Sequence, residues 1–150
     1  MADHNDADHT RRHDVIIDNA PSAADVRFVE EQLVAYNITA TGYNDYRPLA
    51  VFVRDDGGTT RAGLTGFMWG GVLKIEYLWV HEQLRGQGYG SRMMLAAEQE
   101  AIRRGCYLAV VDTHSFQAPH FYPKLGYVQC GLIEDSPVGH TDTIFRKVLN

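Results

Sequence analysis

The run Val80 to Gly90, VHEQLRGQGYG, constrains this chain more than any other stretch. An apolar segment, KIEYLWV, leads into it, and an amphipathic one, SRMMLAAEQEAIRR, leads out. A strand, a glycine-rich turn and a helix in that order leave several N–H groups at the helix start without intrahelical partners. Those groups point one way and carry a partial positive charge. Gly86, Gly88 and Gly90 let the backbone approach a ligand and adopt positive φ. Arg85 adds a full charge and a planar fork of donors. Together these features describe a cradle for a pyrophosphate.

The spacing narrows the ligand. A dinucleotide fingerprint starting at Gly86 needs Gly or Ala at 91, where this chain has Ser91, and it needs a βαβ setting. A P-loop needs Gly-Lys-Ser/Thr, a tripeptide absent here. The pattern present is R-x-x-G-x-G, as Arg85, Gly88 and Gly90.

The rest of the chain supplies the setting. Its 150 residues, 45% apolar and 22% charged, have the composition of a soluble globular domain able to bury a core without staples. Residues 1–12 read as a disordered polar tail and 13–150 as a single domain. His4, His9 and His13 lie among aspartates without the fixed spacing of a metal site, so no metal is expected. Val15-Ile16-Ile17 reads as a first strand, and Pro21-Ser22 opens a helix with Asp25 in capping position. Val26, Val29, Leu33 and Tyr36 share one face of that helix. After a loop over 39–47, strands at 48–54, 60–69 and 74–80 form an antiparallel meander, turned first at Asp55-Asp56-Gly57-Gly58. A helix at 91–104 presents Met94, Ala97 and Ala101 on one face. A strand at 107–111, a short helix at 118–125 ended by Gly126, and strands at 127–133 and 141–148 complete an α/β (α+β) pattern.

Composition also excludes classes of function. No run approaches the roughly 18 apolar residues of a membrane span, and the N-terminus lacks a signal-type apolar core, so no membrane partner is expected. Cys106 and Cys130 read as small buried hydrophobes in a reducing cytoplasm. A net charge of −5 repels phosphate backbones, disfavours nucleic acid and suits a cationic partner such as an amine.

A second block, Ser115-Phe116-Gln117-Ala118-Pro119-His120-Phe121-Tyr122-Pro123-Lys124-Leu125-Gly126-Tyr127, follows the loop. With KIEYLWV and Arg85-x-x-Gly88-x-Gly90, it makes the chain resemble the GNAT N-acetyltransferase superfamily from Val15 to Leu149. Ala118, Tyr122, Gly126 and Tyr127 fall into the family register, while Ser115 stands where asparagine is usual. The resemblance implies acetyl-CoA as acyl donor and direct attack by a primary amine in a ternary complex. It implies a mixed, mostly antiparallel sheet of about six to seven strands, flanked by helices and splayed between the parallel strands 74–80 and 107–111. Cofactor contacts are implied for Leu78, Trp79 and Val80 along the pantetheine arm, and for Arg85, Gly86, Gln87, Gly88, Tyr89, Gly90 and Ser91 around the pyrophosphate. Ser115 is implied as a further contact, and a homodimer is frequent in the family.

The chemistry then needs an acid and a base. Tyr122 is the candidate acid, because a phenol and a thiol leaving group have similar ordinary pKa values. Its alternative is an aromatic that only packs. Pro123 beside it is unexpected inside a helix. Simple alternation puts Lys74, Glu76, Leu78 and Val80 on one face, where Glu76 is the candidate base, acting through a water. His114 and His120 are the alternatives to Glu76. Tyr36, Tyr43, Asp45 and Tyr46 are a candidate cup for a cationic amine. The acceptor itself stays open, from polyamine, amino sugar or antibiotic to amino acid or protein amine. A competing reading is a non-catalytic acyl-CoA-binding sensor.

Overall fold

The computed structural model describes residues 13–150, which form two compact units dividing after Ala40. The tail, with His4 and His9, lies outside the described residues.

Helix α1 spans Ala23–Thr41, all but its last residue in the first unit. Ser22 caps it as expected: its hydroxyl accepts from the Asp25 N–H at 3.1 Å and donates to the Asp25 carboxylate at 2.6 Å. Val26, Val29, Leu33 and Tyr36 all lie on this helix. The strand expected at Val15-Ile16-Ile17 does not form, and these residues are 98%, 82% and 85% exposed. An apolar run sets a propensity, but a strand exists only where a partner satisfies its backbone groups.

The second unit is a six-stranded sheet. Its strands are β1 (Arg47–Arg54), β2 (Thr60–Trp69), β3 (Val72–Val80), β4 (Leu108–His114), β5 (Val128–Glu134) and β6 (Thr141–Val148), in the order β1-β2-β3-β4-β6-β5. All pairs are antiparallel except β3 with β4. Helix α2 (Tyr89–Arg103) packs on β1, β2 and β3. Met93, Met94, Ala97 and Ala101 of α2 join Leu64, Leu73 and Ile75 of the sheet in the core. A one-turn helix, α3 (Phe121–Lys124), precedes β5. Cys106 is buried, but Cys130 is exposed on β5, contrary to expectation. No helix among the described residues is long and apolar enough to cross a membrane.

Two irregularities in β3 shape the unit. Its parallel pairing with β4 covers only Val72↔Leu108, Leu73↔Ala109 and Lys74↔Val110, so the strands part beyond Lys74 as the expected splay requires. On its other side, Thr65 pairs with Tyr77 and Gly66 with Ile75, which leaves Glu76 as an extra residue, a β-bulge. The bulge corrects the simple alternation. Leu73 and Ile75 are buried, and after Glu76 it is Leu78 and Val80 that pack against the same core, while Tyr77 and Trp79 are exposed. Gly66 belongs to this device, since a Cβ there would stand 2.1 Å from the Lys74 carbonyl oxygen.

Candidate active site

Where β3 and β4 part, a cleft of about 810 Å³ opens. That size suits an extended ligand. Glu76, Leu78, Trp79 and Val80 line one wall, and Arg85, Gly86, Gly88, Tyr89, Gly90 and Ser91 line its end. Asp112, Thr113, Gln117 and Tyr122 line the other wall. The cleft thus gathers Glu76, Tyr122 and every expected cofactor contact except Gln87 and Ser115. Gln87 instead donates its amide to the Gln83 carbonyl at 2.7 Å. The Ser115 hydroxyl accepts from the Thr141 N–H at 3.2 Å and fastens the end of β4 to β6.

The loop has the properties its sequence promised. Gly88, at φ 82°, is the N-cap of α2 and provides no side chain to cap the helix, so the first N–H groups stay available to a ligand. A left-handed φ with open space around it is a position glycine takes without strain. Arg85 is fixed by its Nε donating to the Val80 carbonyl at 3.1 Å, which holds the guanidinium at the end of β3. Beyond Lys74, β3 has no ladder partner on its β4 side among the described residues. An unpaired strand edge running to a helix N-terminus fits an extended amide-bearing arm that ends in phosphates.

Tyr122 is 5% exposed. Its ring meets Phe121 edge-on with centroids 5.1 Å apart, and Tyr127 and Phe145 at 5.9 Å. Its hydroxyl makes no hydrogen bond among the described residues. Burial, and then the nearby Asp112 charge, push its pKa up to about 12. The phenol therefore keeps its proton throughout the neutral range. Pro123 is explained by the shortness of α3: it is the third residue of a single turn, where an N–H would have no intrahelical partner.

Glu76 is exposed on the bulge, which turns it into the cleft. Asp112, which the sequence reading passed over, lies on the opposite wall in an ion pair with Lys74. It carried the signal that singled out Glu76, a carboxylate inside an apolar strand. His114 and His120 do not line the cleft: His114 stacks on Phe116 at 5.2 Å and contacts Gln117 Oε1 at 3.3 Å, and His120 is the N-cap of α3. Tyr43, Asp45 and Tyr46 of the expected cup do not line the cleft either. Tyr43 and Asp45 line a separate cavity beside Gly70, where Asp45 accepts from the Gly70 N–H at 3.0 Å. Tyr46 packs on Phe67 at 5.3 Å, and Tyr36 belongs to α1.

Residues 14–127 match the model of the acetyltransferase (GNAT) family. The chain is 33% identical over 133 residues to acetyltransferase Atu2258 of Agrobacterium fabrum, covering 89% of this chain and 96% of that protein. It is 37% identical over 107 residues to blasticidin-S acetyltransferase of Streptomyces morookaense, covering 69% of this chain and 79% of that protein. A crystal structure of an acetyltransferase from Bacillus cereus superposes with a TM-score of 0.80 at 33% identity, covering 90% of this chain and 98% of that one.

Proposed function

Because the chain belongs to the GNAT family and is an acetyltransferase that uses acetyl-CoA, we propose that it acetylates the primary amine of a cationic small molecule in a ternary complex. The observation that carries this is the meeting of two carboxylates, Glu76 and Asp112, with Tyr122 in one cleft. An ammonium, that of Lys74, already rests on Asp112. The net charge of −5 favours the approach of a cation. A relative named for blasticidin S supports a small-molecule acceptor.

The residues divide the work. The α2 N-terminus with Arg85 would hold the pyrophosphate, and the free edge of β3 at Leu78–Val80 the pantetheine arm. Bound acetyl-CoA supplies the acetyl group as an activated thioester. Glu76 takes up, through a water, the proton an ammonium must lose before its nitrogen can attack. Tyr122 keeps a proton at Oη, available to a departing thiolate. Because Asp112 contributes to the raised pKa of Tyr122, a cationic acceptor beside Asp112 opposes that rise and makes the phenol a better acid.

In the same reading, residues 13–150 act as one N-acetyltransferase domain, supported by a family match that spans both compact units. A reducing cytoplasm suits the exposed free thiol of Cys130. The sensor reading gives way, because the named relatives are acetyltransferases.

The test is an amine panel with acetyl-CoA, following thiol release, that includes blasticidin S, spermidine, glucosamine, lysine and a peptide with a free N-terminus. Turnover of cationic small molecules, lowered by Tyr122→Phe, is the expected result. Turnover of the peptide alone, or of nothing, would overturn the acceptor class.

A further inference from the structure

Glu98 is a buried carboxylate, 6% exposed, lying outside the cleft. It sits on α2, the helix whose first residues line the cofactor end of the cleft. Its Oε1 accepts from the Tyr127 hydroxyl at 2.9 Å and its Oε2 from Lys147 Nζ at 2.6 Å. Lys147 Nζ also stands 5.6 Å from the centroid of the Tyr127 ring. One carboxylate therefore joins α2, Tyr127 at the threshold of β5, and β6.

Tyr127 is the neighbour of Tyr122 by two routes. Its N–H donates to the Tyr122 carbonyl at 3.2 Å, and its ring meets the Tyr122 ring edge-on. Tyr122 has little else to fix its aim. It rides on a helix of a single turn, and no hydrogen bond among the described residues anchors its hydroxyl. Its direction comes from the rings around it. Of these, Phe121 and Phe145 have no polar handle, whereas Tyr127 is tied through its hydroxyl to a buried carboxylate.

We propose that Glu98, through Tyr127 and with Lys147, is a positioning residue that aims the Tyr122 phenol into the cleft and keeps it in register with the cofactor end of α2. The inference rests on the reading of Tyr122 as the acid. Its energetic logic is that a buried, doubly bonded carboxylate holds its partners in one arrangement, and a small misplacement of a reacting group costs rate.

The experiment uses the full chain, saturating acetyl-CoA and the panel amine with the highest rate. Tyr127→Phe keeps the ring and removes the tie, and it is expected to lower kcat by about tenfold to a hundredfold. The Kd for acetyl-CoA should stay within about twofold, since the cofactor loop is untouched. Glu98→Ala should match that loss, and Glu98→Gln, whose amide can bond both partners, should recover most of it. In a Tyr122→Phe background, Tyr127→Phe should cost nothing further, because a positioning residue acts only through the group it positions. A readout without turnover is 19F NMR of 3-fluorotyrosine protein, in which the Tyr122 resonance, assigned by its loss in Tyr122→Phe, should shift or broaden in Tyr127→Phe. Full kcat in Tyr127→Phe, or losses that multiply with Tyr122→Phe, would overturn the inference while leaving the acid in place. Full kcat in Tyr122→Phe alone would remove the acid and this inference with it. Should Glu98→Ala fail to fold, Tyr127→Phe decides alone.

Discussion

A Cβ on Gly66 would stand 2.1 Å from the carbonyl oxygen of Lys74, a backbone atom of the neighbouring strand. The contact sits at the bulge that leaves Glu76 unpaired and turns it into the cleft. Glycine at 66 and the placement of Glu76 are thus one device. Gly66→Ala should cost at least about 2 kcal/mol of stability, since backbone rather than a side chain must move. Urea unfolding measures it, and a loss below about 0.5 kcal/mol would show that the strands part easily.

Glu76→Gln should lower kcat/KM most at neutral pH and least at high pH, where the acceptor amine is already neutral and needs no base. The check is a kcat/KM profile over that range. A loss equal at every pH would assign Glu76 to positioning rather than proton transfer.

Strands 60–69 and 141–148 and the loop-helix unit were legible in the sequence to within a residue or two, because alternation, helical period and turn glycines are local signals. The bulge was not legible. One extra residue in β3 has meaning only against the register of β2, and no local pattern around Glu76 contains Gly66. Asp112 was legible and overlooked, although it interrupts LAVVDTH as Glu76 interrupts KIEYLWV. Ser115 was carried by family register alone, and its neighbours put its hydroxyl to use at Thr141. Pro123 looked out of place because the sequence suggested a helix of two turns, and the helix has one.

Alkaline stability follows from the two buried phenols. Tyr122 has its pKa pushed up to about 12, and burial and Glu98 push Tyr127 up further. A raised folded-state pKa gives stability that is whole below the unfolded value, near 10, and is lost as pH climbs through the folded value. Stability should therefore hold from neutral pH to about pH 10 and then fall, Tyr122 contributing roughly 2 to 3 kcal/mol by pH 12. Tyr122→Phe should flatten that decline in chemical unfolding series. An equal slope in the variant would place the strain of ionisation elsewhere.

Acetyl-CoA should raise Tm, and Arg85→Ala should weaken the rise. A ligand at a hundred times its Kd adds about 2.7 kcal/mol. Loss of a charge-assisted contact raises Kd, so the same ligand concentration gives a smaller shift. Differential scanning fluorimetry over an acetyl-CoA titration reads both. Identical curves for the two proteins would remove Arg85 from the phosphate site.

The parting of β3 and β4 beyond Lys74 has a consequence for solubility. A divergence inside a sheet creates two bare strand edges in the middle of a molecule, and bare edges invite pairing with other chains and aggregation. This protein blunts both. The bulge at Glu76 breaks the regular edge of β3, and the Lys74–Asp112 ion pair sets charge across the opening. The opening proposed to take the cofactor arm thus carries its own guard against a foreign strand. A variant that straightens β3 by deleting the bulge residue would expose a regular edge to self-association.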